Sequence, residues 1–323
     1  MTKQYDFFKK YLDNYLIYKR SAGYKYEKEE KVLNRFLKHC EAYFGTGMEI
    51  PKSAVLAWNE IGTNETIVNQ NSRIGIVRRF CLYISKKYIP AYICHVKHYE
   101  HSNFTPYIFT NGELKRFFEQ TDKLQKKIAA SYCHMTIPIL FRLYYSCGLR
   151  ESEATNLTIN DVDLKNGILT IRETKFGKDR LVPIHESVLE RMREYHKAVH
   201  QHPEPSSPFF PASHGGFYGR QSIYNNFRKI LWQAGISHGG KGAGPRVHDF
   251  RHTFAVHCLR KWSLECADLS VALPYLSAYM GHNGLAYTQQ YLRLTSDLYP
   301  DVVKKMESRF NVIPDWERVY ETD

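Results

Sequence analysis

Four short pieces of this chain, far apart in sequence, carry side chains able to act together on an anion. They are Gly148-Leu149-Arg150-Glu151-Ser152-Glu153; Thr174-Lys175-Phe176-Gly177-Lys178-Asp179-Arg180; His248-Asp249-Phe250-Arg251-His252; and Gly281-His282, with Tyr291 nine residues further on. Arg150 and Arg251 offer planar, permanently charged forks that match two oxygens of one phosphate. His282 can add a hydrogen bond. Tyr291 carries a hydroxyl able to attack phosphorus and form a covalent link. A phenol of pKa near 10 needs a proton acceptor, and His248 is the candidate. A departing alkoxide needs a proton, and Lys175, on a hairpin turn, can supply it. No metal is required, because cationic side chains already bring positive charge to the phosphorus.

Each piece also has a plainer reading. Arg150 alone reads equally as a surface helix residue. Lys178 and Arg180 are either phosphate contacts or solvated turn charges. His248 and His252 stand four apart, as a zinc pair can, but there is no HExxH and no clear third ligand, so no metal site is expected. His252 and His257 read as packed helix residues. Gly240-Lys241-Gly242-Ala243-Gly244 matches neither GxGxxG nor GxxxxGK[ST] and reads as a loop, so no nucleotide cofactor is expected.

The elements that must hold these pieces follow from periodicity. Residues 1–88 read as four helices. Tyr5, Phe8, Leu12 and Tyr15 line the first; Leu33, Phe36, Leu37 and Tyr43 the second; Val55 and Trp58 a third opened by Pro51; Ile74, Val77, Phe80 and Ile84 the fourth. Residues 89–109 lose the pattern and read as a linker. Thr110 and Glu113 then form a T-x-x-E helix start. An apolar helix is expected over about 129–147, stopped by Gly148, with a short helix after Leu149. Lys165-Asn166-Gly167 marks a hairpin between 162–164 and 168–171, and a second turn at Phe176-Gly177 leads to 181–184. Helices follow at about 186–197, 220–233, 248–261, 268–280 and 284–291. Val302, Val303, Met306 and Phe310 form a last apolar stripe.

Composition limits what such a chain can be. It has 323 residues, enough for about two domains. With 43% apolar residues it can bury real cores, and no apolar run approaches the ~18–20 residues of a membrane span. The N-terminal residues carry no apolar signal core, and the odd count of seven cysteines, without a CxxC, reads as reduced thiols; both point to the cytoplasm. Lysine and arginine total 45 against 33 acidic residues, a net charge of +12. Residues 1–105 hold 17 basic and 10 acidic side chains and the rest holds 28 and 23, so both halves could face a polyanion, nucleic acid first.

Taken in order, the Arg, the hairpin Lys, H-x-x-R, and a His with a Tyr nine residues later resemble the tyrosine recombinase family, the phage integrases and their relatives. The resemblance runs over about 110–295, and the helical first domain is similar to the family's core-binding domain. It implies a mostly α fold with a small β-sheet: a helical core-binding domain at 1–104 and a mixed α/β catalytic domain at 105–323 with a C-terminal tail helix. It implies catalysis by Arg150, Lys175, His248, Arg251, His282 and Tyr291, with Glu153 as a supporting acid and Lys178 and Arg180 as DNA contacts. The expected activity is site-specific recombination through a 3′-phosphotyrosyl link without a cofactor. The expected partners are double-stranded DNA, three further copies of the chain on two DNA sites, and accessory recombination proteins. A type IB topoisomerase and a catalytically inactive DNA-binding relative are the rivals. One departure matters: where many relatives have Thr-Thr this chain has Tyr287-Thr288, making Tyr287 a rival nucleophile. Tyr291-Leu292-Arg293-Leu294-Thr295 is similar to transposon-borne members.

Overall fold

The computed structural model describes residues 2–87, 89–95, 105–126, 132–172, 179–240, 244–265, 268–282, 284 and 286–299. The chain divides into two compact units, 1–103 and 104–323.

The first unit is built from α1 (Lys3–Ser21), α2 (Glu27–Cys40), α3 (Lys52–Asn59) and α4 (Ile67–Ser85). Thr2 and Thr66 cap α1 and α4 by accepting from Tyr5 N and Asn69 N, which satisfies amides that no helical carbonyl reaches. Glu27, Glu29 and Glu30 sit at the positive start of α2, and Lys38 and His39 at its negative end. Phe8, Leu12, Leu33, Phe36, Leu37, Val55, Val77 and Phe80 are buried together, as the 3.6-residue pattern requires. Two expectations shift. Pro51 is the N-cap of α3 rather than its first helical residue, and α2 ends before Tyr43. The expected linker also starts later, because Ile89 and Cys94 are buried and Ile50 bridges to Ala91. At the rim, the Lys19 ammonium lies 5.5–5.9 Å from the ring centres of Tyr15, Tyr18, Tyr24 and Tyr26.

The second unit opens with α5 (Asn111–Asp122), held by the reciprocal Thr110–Glu113 capping box. The apolar α6 (Cys133–Ser146) packs against α5, α8 (Glu186–Val199) and α10 (Asp249–Leu264). Its described start falls at Cys133, and 127–131 lie outside the described residues. Between α6 and α8 come the short α7 (Glu151–Thr155) and an antiparallel sheet of β1 (Val162–Asp163), β2 (Ile168–Ile171) and β3 (Arg180–Pro183), in that order. Val162 pairs with Leu169 and Leu169 with Val182. The first hairpin turns where Asn-Gly predicts: the Asp163 carboxylate accepts from Lys165 N and Asn166 N, and Gly167 takes φ +68°. A core of phenylalanines joins the helices, with Phe109 stacked on Phe250 at 4.7 Å and Phe117 edge-on to Phe141 at 5.1 Å.

The remaining helices are α9 (Arg220–Gln233), α11 (Leu269–Met280) and α12 (Ala286–Leu298). A separate apolar cluster of Val256, Leu259, Leu273, Leu276, Met280 and Tyr291 binds α10, α11 and α12 to one another. The far end of α12 is tied down as well. His257 Nδ1 meets the Tyr145 hydroxyl and its Nε2 meets the Tyr299 hydroxyl, each at 3.1 Å, while the Arg260 guanidinium lies 4.3 Å from the Tyr299 ring centre. The stripe from Val302 to Phe310 lies outside the described residues.

Candidate active site

Gly148 ends the segment leading from α6 with φ +58°. A β-carbon there would meet Phe254 at 2.5 Å, so only glycine fits. The turn brings Arg150 to the N-cap of α7, where Glu153 Oε2 accepts from the Arg150 backbone N–H at 2.9 Å. The Arg150 guanidinium donates to Glu153 Oε1 at 2.6 Å and to the Gly281 carbonyl at 2.9 Å.

Arg251 follows one turn into α10 and is only 1% exposed. It donates to the carbonyls of Gly148 and Met280, both at 2.6 Å. It therefore bolts the first chemical piece of the sequence to the fourth. Burial, then the charge of Arg150, pulls its guanidinium down to about 9, still protonated at neutral pH.

Arg180 departs from expectation. Its place on the turn suggests either a phosphate contact or a solvated charge. It instead points inward and donates to both oxygens of Glu153, at 3.1 and 2.8 Å, and through Nε to the Tyr279 carbonyl at 2.8 Å. The reason is strand alternation: Arg180 shares a face of β3 with buried Val182, while Leu181 between them is 65% exposed. Glu153, with a side chain 6% exposed, is thus shared by two guanidiniums. Burial alone would raise its carboxyl; the Arg180 and Arg150 contacts outweigh that and bring it down to about 2.

The end of α11 organises all three arginines. Gly281, at φ +66°, closes the helix: its N–H donates to Ala278 O and the next N–H, of His282, to Ser277 O. The next three carbonyls, Tyr279, Met280 and Gly281, accept from Arg180, Arg251 and Arg150 respectively. These are the orphan acceptors at the negative end of a helix, met here by cations.

The same turn sets His282. Its Nδ1 lies 2.8 Å from the hydroxyl of buried Thr288, which pins the ring. Burial and the charges of Arg251 and Arg150 push it down to about 3, so the imidazole is neutral. The His282 ring lies nearly parallel to Tyr291, with centroids 6.2 Å apart. Tyr291 is 1% exposed, and its hydroxyl lies 2.8 Å from Nδ1 of His252. Burial raises this phenol, against the pull of Arg251 and Arg150.

His248 stands exposed at the N-cap of α10, its ring edge-on to His252 at 4.8 Å. The surrounding protein, then His252 and Arg251, hold it below the ordinary histidine range. Asp249 beside it is buried and accepts from the Arg246 backbone and side chain, both at 2.8 Å.

The structure therefore brings together Arg150, Glu153, Arg180, Arg251, His282 and Tyr291, with His248 at the edge. Lys175 and Lys178 lie outside the described residues, as does the side chain of Tyr287. Two contributors escaped the sequence reading, His252 and Thr288. Thr288 lies six residues after His282, as the second residue of the Tyr287-Thr288 departure, but nothing in its type signals a ring contact. Among the described residues no group of three or more His, Cys, Asp or Glu is arranged to hold a metal ion.

Residues 109–297 match the phage integrase family. The chain is 31% identical over 313 residues to a putative integrase/recombinase, y4rB, of Sinorhizobium fredii, covering 94% of this chain and 98% of that one. It is 28% identical to tyrosine recombinase XerA of Pyrococcus furiosus, over 64% of each chain. Among solved structures, the XerH site-specific recombinase bound to palindromic difH substrate shares the fold with a TM-score of 0.63 at 19% identity, over 86% of this chain and 80% of that one. The Tn1549 transposon integrase in complex with transposon right end DNA gives 0.60 at 15% identity, over 87% and 93%. A family match over more than half the chain, and a relative aligned almost end to end, settle the ancestry: this chain belongs to the phage integrase family of tyrosine recombinases.

Proposed function

We propose that this tyrosine recombinase cuts and rejoins duplex DNA at a specific site, with Tyr291 as nucleophile. The observation carrying this is the end of α11, whose last three carbonyls hold Arg180, the dry cation Arg251, and Arg150, with the neutral His282 imidazole on the same turn and its ring beside the buried Tyr291. The one carboxylate there, Glu153, accepts from Arg150 and Arg180, while Arg251 is held by carbonyls alone, leaving a surplus of positive charge for a phosphodiester.

In this reading Arg150 and Arg251 bracket the nonbridging oxygens as charge builds on them. His282, with Nδ1 occupied by Thr288, turns its other nitrogen to the same phosphate. Such preorganised donors are each worth roughly 10²–10³ in rate. Tyr291 attacks phosphorus, the 5′-oxygen leaves with a proton from Lys175, and a 3′-phosphotyrosyl link conserves the energy for religation. Arg180 and Glu153 position Arg150 and touch no substrate. Lys178 remains a candidate phosphate contact. The basic helical unit at 1–103 adds sequence-independent grip on the duplex as the core-binding half. Four copies act on two sites.

The test starts from DNA recovered with Tyr291→Phe, which keeps the ring and loses the hydroxyl. Sequencing that DNA gives the site. On a nicked copy of the site the unaltered protein should form an SDS-resistant adduct with a free 5′-hydroxyl, and Tyr291→Phe should form none while binding equally well. An adduct that persists in Tyr291→Phe and vanishes in Tyr287→Phe would reject Tyr291.

A further inference from the structure

The geometry points to His252, not His248, as the group that takes the phenolic proton of Tyr291 when the tyrosine attacks and returns it when the strand is rejoined. This deepens the recombinase reading and rests on it.

The hydroxyl of Tyr291 already has a partner, Nδ1 of His252 at 2.8 Å. That is the distance from which a base can act in a transition state. His248 sits at the exposed edge with its ring against the flank of His252. His252 is held in place from both sides. It lies on α10, whose neighbouring residues Arg251 and Thr253 are buried, Arg251 on two carbonyls and Thr253 on Asp249 O and Phe109 N. Tyr291 on α12 is locked into the apolar cluster that joins α12 to α10 and α11. The pair is therefore a fixed contact between two packed helices, 39 residues apart in sequence.

The charged and titratable groups facing His252 come from every element around it. They are Arg251 from α10, His248 from its N-cap, Arg246 from the segment before it, His282 from the turn after α11, and Tyr291 from α12. Burial first, then Arg246 and Arg251, hold the imidazole down to about 4. At neutral pH its ring is accordingly neutral and keeps a lone pair for the phenol. An incoming phosphate offsets the charge of Arg251 and so makes the same ring more basic when it is needed.

The step balances. The Tyr291 O–H bond breaks, its proton goes to Nδ1 of His252, and the oxygen forms the bond to phosphorus. The P–O5′ bond breaks and the leaving oxygen takes a proton from the general acid. On religation the 5′-hydroxyl returns its proton to the general acid, now a base, and attacks phosphorus; the bond from phosphorus to the tyrosine oxygen breaks, and the His252 imidazolium protonates that oxygen.

The test is single-turnover adduct formation on the nicked site as a function of pH, with His252→Gln beside the unaltered protein. Glutamine keeps a hydrogen-bond acceptor of similar reach and takes no proton at neutral pH. The rate should fall about 10²–10⁴-fold. The plateau of the unaltered protein should give way to a rate still rising tenfold per pH unit. Replacing Tyr291 in this variant by a fluorinated tyrosine, whose phenol is more acidic, should recover much of the loss. A merely structural role for His252 would not respond to phenol acidity. A normal rate and profile in His252→Gln, or a defect that the fluorinated tyrosine leaves unchanged, would overturn the assignment. If the unaltered protein forms no adduct at all, the recombinase reading fails instead; if it does and Tyr291→Phe does not, that reading stands whatever His252 does.

Discussion

Among the described residues, every buried polar or charged side chain belongs to the second unit: Thr121, Thr136, Asp161, Asp249, Arg251, Thr253, Thr288 and a few more. The helical first unit buries apolar and aromatic side chains, and its cation Arg73 lies on Glu65 and the carbonyls of Trp58 and Glu60. In the second unit Arg251 is as dry as Phe36 is in the first. The first arrangement stabilises by removing hydrocarbon from water. The second costs stability. Lowering Arg251 from 12.5 to about 9 corresponds to a penalty on the order of 5 kcal/mol for keeping it charged. A fold tolerates that when the dry cation stabilises a transition state, since field strength rises as water is excluded. One unit is thus built for holding shape and the other for holding charge, and four substitutions can break or sharpen the distinction.

The largest effect should come from Arg251→Ala. Adduct formation should drop by roughly 10²–10³, read by single-turnover assay, with duplex affinity reduced far less. An equal loss of affinity and rate would mean that Arg251 serves binding alone. Phe36→Ala should cost about 3–5 kcal/mol, confined to the unfolding of residues 1–103 as followed by calorimetry or hydrogen exchange. Its counterpart is Glu153→Gln, which should cost a similar 3–5 kcal/mol in the second unit by leaving Arg150 and Arg180 uncompensated.

Acid sharpens the contrast. Glu153 titrates near 2 when folded and near 4.5 when not, so its contribution, on the order of 3 kcal/mol, is fully present above 4.5. It fades as the pH falls from 4.5 to 2. The unaltered second unit should lose stability over that window, and Glu153→Gln should flatten the loss. An unchanged slope in the variant would place the acid sensitivity elsewhere. The smallest effect belongs to Lys19→Met, which removes the ammonium from its four tyrosines and should cost about 0.5–1 kcal/mol in the first unit.

The sequence made some of this legible and hid the rest for physical reasons. Helices announced themselves through local pattern, as in the Thr110–Glu113 box and the Asn166-Gly167 turn, because the partners lie within a few residues of one another. Glu153 was legible as a supporting acid because it stands one turn from Arg150. Arg180 on a turn suggests solvent, because turn residues are usually solvated, yet its alternation with Leu181 and Val182 places it on the buried face. The pairing of His252 with Tyr291 had no local trace at all. It depends on how α12 settles against α10, and a histidine on an apolar helix face looks the same whether it packs or accepts a proton.

The three carbonyls at the end of α11 impose an order on how the protein comes into being. Arg150 leaves the ribosome about 130 residues before Gly281, Arg180 about a hundred and Arg251 about thirty. Until Tyr279, Met280 and Gly281 arrive, none of the three guanidiniums has its backbone anchor from that helix. A chain whose synthesis stops short of residue 279 therefore carries the same positive charges without the pocket. It can cling to DNA through loose electrostatics but cannot present a set phosphate cradle. Tyr291 follows ten residues after Gly281, so a nascent chain gains this tyrosine only after all three guanidiniums and the carbonyls that hold them have been made.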